Sequence, residues 1–410
     1  MKQSPKTCSS VIVLPIAIAF CLVPARGQAE DWPQWRGPNH DDVSKETGWM
    51  APWPAGGPKQ LWKATLGTGF SSISVSQGRV YSMGNQDQTD TIFCLEADTG
   101  SVRWKHSYPC QLDPNSFEGG PCATPTVAGN VVYTCSRFGD VFALDALSGK
   151  VLWAQKLLQE TGANRPTWGL AGSVLIWDNL ALLNIGSTGC ALEKATGKIL
   201  WSSRGTGGYS TPVPFTLNGQ KAVALFSTRS VLAVAVANGQ KLWEFPWQTS
   251  YDINAADPII SGDKVFISSG YNRGCALLRM SGATVTAVWE NKALRNHYAN
   301  SVLVGAYIYG FDGQAGGARL KCIDFNTGAA KWERPELSAG GLMAADGKLV
   351  VLADGGKLVI AEASPSAFNQ LAEARPLSGK CWTMPVLANG RIYARNNKEG
   401  ELVCLELKAN

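Results

Sequence analysis

Oxygen-bearing side chains cluster in one short stretch of the sequence, Tyr251 to Pro258 (YDINAADP). Asp252 and Asn254 resemble one corner of a hard-cation site, because Ca²⁺ prefers carboxylate and amide oxygens. Asp257 stands directly before Pro258, where a turn role is favoured over a ligand role. Two side chains do not complete a metal site, so we predict no bound metal.

Aromatic and hydrogen-bonding residues in other glycine- and proline-rich segments could join this stretch at one ligand-binding mouth. Such a mixture could bind a peptide, a sugar or a small organic molecule. Loop anchoring, strand capping and packing are the alternative roles, and packing is favoured for the two tryptophans. The predicted mouth residues are Arg165, Trp168, Tyr209, Tyr251, Asp252, Asn254, Asp257, His297, Asn300 and Trp382.

Motifs for covalent or metal-assisted catalysis are missing from the sequence. The three histidines, His40, His106 and His297, are far apart, and neither H-x-x-x-H nor C-x-x-C occurs. A zinc site is therefore not expected. There is also no G-x-S-x-G nucleophile elbow and no G-x-x-x-x-G-K-[ST] phosphate loop. We predict no catalytic residues.

The elements that must position these residues are strands, and they repeat. The stretch FALDALSGKVLW (142–153) reads as two alternating strands joined by a turn at Gly149. Related stretches recur with a tryptophan four residues after a glycine, and in a looser copy Trp289 stands seven residues after Gly282. We expect these tryptophans to pack between repeats, in a structural role. They are Trp62, Trp104, Trp153, Trp201, Trp243, Trp289 and Trp332.

Spacings of 42 to 49 residues between these tryptophans are typical of four-stranded β-propeller blades. Eight strand openings can be counted, beginning near residues 71, 123, 173, 210, 257, 301, 341 and 384. The last blade ends at Leu407 without an outer strand, whereas the early strand around Trp62 has no blade of its own. The sequence therefore predicts an all-β, eight-bladed propeller of four-stranded antiparallel blades. Its ring is closed when the N-terminal strand completes the C-terminal blade.

The N-terminus resembles a secretory signal. A basic start precedes a 13-residue apolar run, Val11 to Val23, which is short for a membrane span of about 20 residues. We place cleavage after Ala29; a lipoprotein signal would acylate Cys21, but Phe20 stands where a small residue is required. The predicted division is a signal peptide (1–29), a lead-in segment (30–58) and one propeller domain (59–410).

The charge and the cysteine content of the sequence limit which binding partners and disulfides can be expected. Loss of Lys2, Lys6 and Arg26 with the signal would reduce the net charge from +5 to +2, which gives no electrostatic footprint for nucleic acid. No second apolar span follows the signal, so we expect no transmembrane segment in the mature protein, and we expect a monomer. Cys110 and Cys122 bracket one loop and could form a disulfide, with small buried thiols as the alternative.

The motif in ALDALSGKVLW, together with the opening DWPQWRGPN (31–39), resembles the repeats of the pyrroloquinoline quinone (PQQ)-like β-propellers. The resemblance covers about residues 60 to 407 and implies an exported bacterial protein of the periplasm or cell envelope, or of the extracellular space. The family includes quinoprotein dehydrogenases that bind PQQ with Ca²⁺ or a lanthanide, and the BamB assembly scaffold, which has no cofactor. Fold alone does not choose between them.

Several parts of a quinoprotein are missing. The sequence has no adjacent cysteine pair, no C-x-x-C-H haem motif, no long funnel-building insertions and no recognisable set of metal ligands. We therefore expect no cofactor, with PQQ and Ca²⁺ as the less favoured possibility.

Three functions follow from these observations. The leading hypothesis is an exported, non-catalytic propeller that binds or scaffolds a protein or an envelope polymer. The alternatives are a divergent PQQ-dependent oxidoreductase and a carbohydrate- or polymer-binding module. A metal cage at the mouth would favour the oxidoreductase, an aromatic groove without a metal would favour the carbohydrate module, and a flat face would favour the scaffold.

Overall fold

The computed structural model describes residues 29–54, 56–314 and 316–407, together with Met1 and Ser4. The predicted signal peptide lies outside these residues, apart from Met1, Ser4 and Ala29. Among the described residues, no helix combines the length and apolar character needed to cross a membrane.

Nearly all regular structure is β-strand. Two strands precede the first complete blade, namely β1 (Val43–Ser44) and β2 (Gln60–Thr65). Blade 1 contains β3 (Ser74–Ser76), β4 (Arg79–Gln86), β5 (Thr89–Glu96) and β6 (Val102–Pro109). Blade 2 contains β7 (Thr126–Ala128), β8 (Val131–Cys135), β9 (Asp140–Asp145) and β10 (Val151–Lys156), followed by the short helix α1 (Leu157–Thr161) and β11 (Ala163–Asn164).

The next blades repeat this order. Blade 3 contains β12 (Leu175–Trp177), β13 (Leu180–Leu183), β14 (Cys190–Glu193) and β15 (Ile199–Ser202). Strand β16 (Gly205–Thr206) pairs in parallel with β11. Blade 4 contains β17 (Val213–Leu217), β18 (Gln220–Phe226), β19 (Ser230–Ala235) and β20 (Lys241–Pro246). Blade 5 contains β21 (Ile259–Ser261), β22 (Lys264–Ser269), β23 (Gly274–Ser281) and β24 (Thr284–Asn291).

The last three blades complete the ring. Blade 6 contains β25 (Val302–Val304), β26 (Tyr307–Asp312), β27 (Arg319–Asp324) and β28 (Ala330–Arg334). Blade 7 contains β29 (Gly340–Ala345), β30 (Lys348–Ala353), the 3₁₀ turn Asp354–Gly356, β31 (Lys357–Glu362) and β32 (Gln370–Ala374). Blade 8 contains β33 (Val386–Ala388), β34 (Arg391–Arg395) and β35 (Glu401–Glu406).

Strand β2 supplies the outer strand of blade 8, as predicted. It pairs antiparallel with β35, with Trp62 opposite Cys404. The buried Arg395 of blade 8 strengthens the closure, because its guanidinium donates to the carbonyls of Ser71, Met83 and Gly67, at 2.7 to 3.0 Å. The prediction of an eight-bladed propeller closed in this way is confirmed.

Burial explains the sequence pattern of the strands. Third strands such as β19 (SVLAVA) are buried at every position, because blades pack against both of their faces. Outer strands such as β20 (KLWEFP) alternate, because one face meets the next blade and the other meets solvent. Clusters of buried apolar residues fill the spaces between adjacent blades.

The outer tryptophans lie between blades. In six of the seven, the indole Nε1–H donates to a backbone carbonyl of the following blade, at 2.8 to 3.2 Å. Five of the rings also cover the hairpin glycine of that blade; a Cβ added to Gly149, for example, would lie 2.6 Å from the Trp104 ring. Trp243 is buried and its Nε1 has no hydrogen-bond partner among the described residues. We call these seven residues the tryptophan ladder.

Residues 30–46, which we call the channel segment, run along the inner edges of the blades. Trp32 bridges to Val75 in β3, and Pro33 accepts a hydrogen bond from Val127 in β7. Strand β1 pairs in parallel with β29 of blade 7. The segment therefore contacts the innermost strands on several sides of the ring.

Candidate functional site

A cavity of about 520 Å³ lies at the centre of the ring. Seven of the eight connections that lead into a blade's innermost strand contribute to its walls. Its size is within the range of small-molecule sites, which is roughly 300–1,000 Å³. The lining residues are Trp35, Phe70, Ser116, Phe117, Cys122, Trp168, Ala171, Ser173, Tyr209, Thr211, Tyr251, Ile253, Ala255, Asp257, Tyr271, His297, Tyr298, Trp382 and Thr383.

Ring contacts join much of this wall into a continuous arc, which we call the aromatic belt. Tyr298 stacks on Trp382 with centroids 4.5 Å apart and planes 20° apart. The arc continues from Tyr298 through His297 to Tyr271, and the other ring pairs are tilted or edge-to-face, with centroids 4.9 to 6.0 Å apart. Its members, in order, are Phe117, Phe70, Trp382, Tyr298, His297, Tyr271 and Tyr251. Trp168 and Tyr209 form a separate pair, 6.4 Å apart.

One wall of the cavity contains the carboxylate of Asp257, and both of its oxygens already accept hydrogen bonds. The Oδ2 atom of Asp257 accepts from Trp35 Nε1 at 2.7 Å, and Oδ1 accepts from the Thr211 amide at 2.7 Å. Asn300 Nδ2 lies 3.4 Å from Oδ2, while its Oδ1 accepts from the Asp257 amide. Burial raises the pKa of Asp257, and the nearby Arg36 guanidinium and these hydrogen bonds oppose that rise.

Polar atoms without partners accompany the aromatic rings. Trp382 Nε1, Tyr298 Oη and His297 Nδ1 are buried and have no hydrogen-bond partner within the described part of the chain. His297 Nε2 lies 3.0 Å from the Tyr271 hydroxyl. Burial lowers the pKa of His297, which favours a neutral imidazole at pH 7. The rings that carry these atoms line the cavity, where they can pack against the apolar surface of a ligand.

Six of the ten predicted mouth residues line this cavity. They are Trp168, Tyr209, Tyr251, Asp257, His297 and Trp382. Asn300 lies just behind the wall, in a small adjoining cavity of about 30 Å³, where it braces Asp257. The structure therefore brings six of the ten predicted residues to one cavity.

Three of the predicted mouth residues have other contacts. Arg165 pairs with Asp113 at 2.5 Å, outside the cavity. Asp252 is bound by Arg229, which donates twice to Oδ2 at 2.8 to 2.9 Å. Asn254 is fully buried, and its amide donates to the carbonyls of Ser227, Thr228 and Trp247. These three residues are not part of the cavity wall.

The same contacts argue against a cation corner at Asp252 and Asn254. Asn254 Oδ1 accepts from Ser269 at 2.6 Å, so its amide is fully engaged in anchoring a loop. Nowhere in the described ranges do three His, Cys, Asp or Glu side chains meet in an arrangement that could hold a metal ion. A Ca²⁺ ion needs six to eight oxygen ligands, and the one carboxylate in the cavity wall is already hydrogen-bonded.

PQQ also fits the cavity poorly. It is a polyanion, and no lysine or arginine is among the residues that line the wall. Lys380 lies 4.2 Å from the Trp382 ring centroid, but its ammonium is paired with Glu118 at 2.7 Å. Among the residues that the structure describes, the wall therefore offers neither the metal ligands nor the free cations that PQQ would require.

Cys110 and Cys122 are not joined in the structure, where both carry free thiols. Cys110 packs in the apolar cluster between blades 1 and 2, whereas Cys122 lines the central cavity. Burial raises the pKa of Cys122 to about 11, so it is protonated at pH 7. The possible disulfide inferred from their shared loop is thus absent, because the loop carries the two side chains into different environments.

Several cavity residues were missed by sequence reasoning. Tyr271 lies in the hairpin between β22 and β23, not in a connection between blades, and Phe70 stands just before the predicted opening of blade 1. Phe117 lies in a long loop, and Tyr298 directly follows His297. Trp35 comes from the lead-in segment, where the motif DWPQWRGPN was the available signal.

Fold and site together define a class: an eight-bladed propeller with PQQ-like repeats and an aromatic central cavity. The family model described as "Outer membrane protein assembly factor BamB" matches residues 111–334, more than half of the chain. The chain belongs to this family of PQQ-like repeat propellers.

The relatives that this chain matches include proteins named for different functions. The chain is 26% identical to BamB of Bordetella pertussis over 293 residues, which cover 67% of this chain and 70% of that protein. It is 25% identical over 272 residues to polyvinylalcohol dehydrogenase of a Sphingopyxis species, covering 56% of this chain and 38% of the enzyme. The relatives thus include an assembly factor and a dehydrogenase, and the chain spans well under half of the latter.

Solved structures show the same fold. BamB from Moraxella catarrhalis superimposes with a TM-score of 0.63 and 16% identity, over 86% of this chain and 98% of that one. Quinohemoprotein alcohol dehydrogenase from Comamonas testosteroni gives a TM-score of 0.65 and 13% identity, over 93% and 81%. At these identities the likeness establishes the fold, and function must be argued from the site.

Proposed function

We propose that this chain is an exported, non-catalytic binding protein whose working surface is the central aromatic cavity. The observation that supports this most strongly is a 520 Å³ cavity walled by aromatic rings, with a single, fully engaged carboxylate. An exported location is supported by the signal-like N-terminus and by the family's outer-membrane assembly factors.

The chemistry of the wall favours an uncharged ligand with alternating apolar and hydroxyl surfaces. Aromatic faces pack well against the C–H faces of sugar rings, and Tyr251, which lines the cavity and is 61% exposed, can hydrogen-bond hydroxyl groups. Within the described part of the chain, no lysine or arginine lines the wall to neutralise an anion. We therefore propose a carbohydrate, or a similar hydroxyl-bearing envelope polymer, as the ligand.

A non-catalytic role is supported by the titratable groups of the wall. Asp257 is engaged by Trp35, Thr211 and Asn300, and the hydrogen-bond partner of His297 is the Tyr271 hydroxyl, not a carboxylate. Acid–base catalysis needs a base within reach of the reacting proton and with a pKa suited to the task. The wall has no such paired acid and base among its described residues.

Calorimetric titration of the purified protein with neutral hexasaccharides tests the proposal. The probes are cellohexaose, xylohexaose, maltohexaose and N-acetylchitohexaose, with PQQ plus Ca²⁺ as the competing ligand. We expect saturable binding of at least one sugar and none of PQQ. Saturable, Ca²⁺-dependent binding of PQQ with no sugar binding would overturn the proposal and favour the oxidoreductase.

Substitution of Trp382 localises the binding. Because Trp382 is central to the aromatic belt, Trp382→Ala should weaken sugar binding at least tenfold, about 1.4 kcal/mol. Trp177, a half-buried tryptophan on blade 3 outside the cavity, is the matched control, and Trp177→Ala should change the affinity less than twofold. Equal losses in both variants would place the binding elsewhere.

Protein binding through the same face is the second candidate function, and the match to the BamB family favours it. In that case the exposed loop around Asn115 and Ser116 would contact the partner. Pull-downs from envelope extracts with Asn115→Arg and with Trp382→Ala separate the two. Loss of a captured protein only in Asn115→Arg would support a protein partner on the rim.

A further inference from the structure

The channel segment contacts opposite sides of the propeller. Near its start, Trp32 and Pro33 bond to the innermost strands of blades 1 and 2. In the middle, Arg36 Nη1 donates to the Pro258 carbonyl at the entry to blade 5. Beyond it, the backbone carbonyl of Asp42 accepts a hydrogen bond from the Ala344 amide of blade 7. A segment with these contacts must cross the central channel between blades on opposite sides.

Buried charge and a dense set of hydrogen bonds fix this crossing. Arg36 is 1% exposed and pairs with the equally buried Asp42 at 2.7 Å. At the far end, Glu46 accepts from the backbone amides of Glu30 and Gly390 at 2.9 to 3.0 Å. The crossing is therefore an ordered part of the propeller core.

Trp35 is the one residue of the channel segment that lines the central cavity. Its indole is held by the 2.7 Å hydrogen bond to Asp257, which also binds the connections that enter blades 4 and 6, through Thr211 and Asn300. Asp257 thus fixes one indole relative to three parts of the ring.

We propose that the channel segment closes the central channel beneath the cavity, that Trp35 is the floor on which the ligand rests, and that Asp257 is the positioning residue for this floor. A closed floor prevents a polymer from threading through the ring. The site is therefore a blind pocket that takes the end of a carbohydrate chain and not its interior. This inference rests on the proposed function for its ligand, whereas the floor itself does not depend on it.

The floor is tested without a sugar by ¹⁹F NMR of protein labelled with 5-fluorotryptophan. The Trp35 resonance is identified by its absence in Trp35→Phe. We expect it to shift and broaden in Asp257→Ala, and to shift less in Asp257→Asn, which retains one acceptor oxygen. Asp252→Ala is the matched control, because that carboxylate pairs with Arg229 outside the cavity. An unchanged Trp35 resonance in Asp257→Ala would overturn the positioning role.

Affinity separates positioning from simple structural support. For the hexasaccharide that binds best, we expect a tenfold loss in Trp35→Ala, a three- to tenfold loss in Asp257→Ala, and partial rescue in Asp257→Asn. In Trp35→Ala, the further substitution Asp257→Ala should add less than twofold, because the two residues act through one contact. A lower thermal midpoint in Asp257→Ala with unchanged affinity would reduce Asp257 to a structural residue.

End recognition is tested by stoichiometry on longer chains of the same sugar. If the pocket is blind, one protein molecule binds to each recognised chain end, whatever the length of the sugar chain. Sedimentation of complexes with chains of 6, 12 and 24 sugars should therefore give a constant ratio of protein to chain. A ratio that rises with length would show binding along the chain and would overturn the blind pocket. Absence of binding by every sugar would remove the proposed function and with it end recognition, while the NMR experiment would still decide the floor.

Discussion

The tryptophan ladder and the aromatic belt are both sets of seven side chains that follow the circle of blades, but they are built differently. The ladder lies between blades, and each of its members occupies a similar place in the outer strand of a blade. Six of its seven indoles donate to a carbonyl of the next blade. The belt lies at the centre, and six of its seven members come from connections of unrelated sequence, whereas Tyr271 lies in a hairpin within blade 5.

This difference separates stability from function. A side chain that repeats in seven of the eight blades solves a problem that these blades share, which is docking against the neighbouring blade. A side chain that occurs once, in a connection, is free to serve a ligand.

The largest effect is expected for Trp153→Ala, which tests whether the ladder provides stability and not ligand binding. Trp153 is 9% exposed, donates to the Lys194 carbonyl at 2.9 Å and covers Gly197. Its removal leaves a cavity between blades 2 and 3 and should lower the free energy of unfolding by about 3–5 kcal/mol. Urea denaturation measures this loss, and the folded fraction should retain the sugar affinity of the wild type. A loss below about 1 kcal/mol would show that the ladder does not hold the blades together.

Acidification should distinguish the floor from the ladder, which contains no titratable group. Burial, helped by the charge of Arg36, lowers the pKa of His40 to about 4, and Gln34 Nε2 donates to its ring. Between an unfolded pKa of about 6.5 and the folded value, the unfolded chain binds the extra proton. The contribution of His40 to stability is thus complete above pH 6.5 and is lost as the pH falls to 4, by at most about 3 kcal/mol.

The test compares the wild type with His40→Asn, since asparagine tolerates the positive φ of 59° at this position. Unfolding free energies of both proteins are measured from pH 7.5 to 4, and the carboxylates of Asp41, Asp42 and Asp257, whose pKa values are raised by desolvation, titrate in both. The wild type should lose stability relative to the variant on acidification. A constant difference across this range would show that His40 does not titrate within the fold.

Glycines beneath the ladder should tolerate alanine less well than other turn glycines. Gly149 has φ = 71°, and a new Cβ would lie 2.6 Å from the Trp104 ring; Gly262 has φ = 60° with no atom within 4 Å of the added Cβ. Both alanines are penalised by the left-handed backbone, whereas only Gly149→Ala forces the indole away. We expect Gly149→Ala to cost about 1–3 kcal/mol more than Gly262→Ala in urea denaturation. Equal costs would mean that the indole moves freely.

Periodicity made the ladder and the fold predictable from the sequence. A hairpin that repeats every 42 to 49 residues identifies the blades, and a missing outer strand in blade 8 identifies β2 as its partner. The belt was partly predictable, because connections into the innermost strands converge on one face. Tyr271 escaped this reasoning because it lies in a hairpin within blade 5.

Contacts made by non-repeating residues could not be predicted. Trp35 reaches the cavity only because the channel segment crosses the ring, and its partner Asp257 is 222 residues away in the sequence. The misplaced residues show the converse. Asp252 and Asn254 have suitable oxygens, but Arg229 and three backbone carbonyls engage these side chains. The residue types indicated that these side chains could bind a cation. Only the fold could show that their polar atoms are already used in contacts within the protein.

One irregular ladder position offers a finer test. Trp243 faces blade 5, whose outer hairpin is a tight turn with Ser281 opposite Thr284, and its Nε1 has no partner in the described structure. In contrast, Trp104 donates to the Ala146 carbonyl at 3.0 Å. Phenylalanine keeps an aromatic ring and removes the donor, so Trp104→Phe should cost about 1 kcal/mol more than Trp243→Phe. A greater cost at Trp243 would reveal a hydrogen bond that forms in solution.

The smallest effect is expected at Asp252, the residue that the sequence made the best candidate for a cation ligand. Its partner Arg229 is 68% exposed, and exposed ion pairs contribute about 0–1 kcal/mol. The Arg229 interaction lowers the pKa of Asp252, so the carboxylate is ionised and paired at neutral pH. Because the pair lies outside the cavity wall, Asp252→Ala should leave sugar affinity within twofold and should leave the thermal midpoint, with or without Ca²⁺, nearly unchanged. A Ca²⁺-dependent rise in the wild-type midpoint that Asp252→Ala abolishes would show that the ion displaces Arg229, and it would move this connection from the scaffold to the functional part of the molecule.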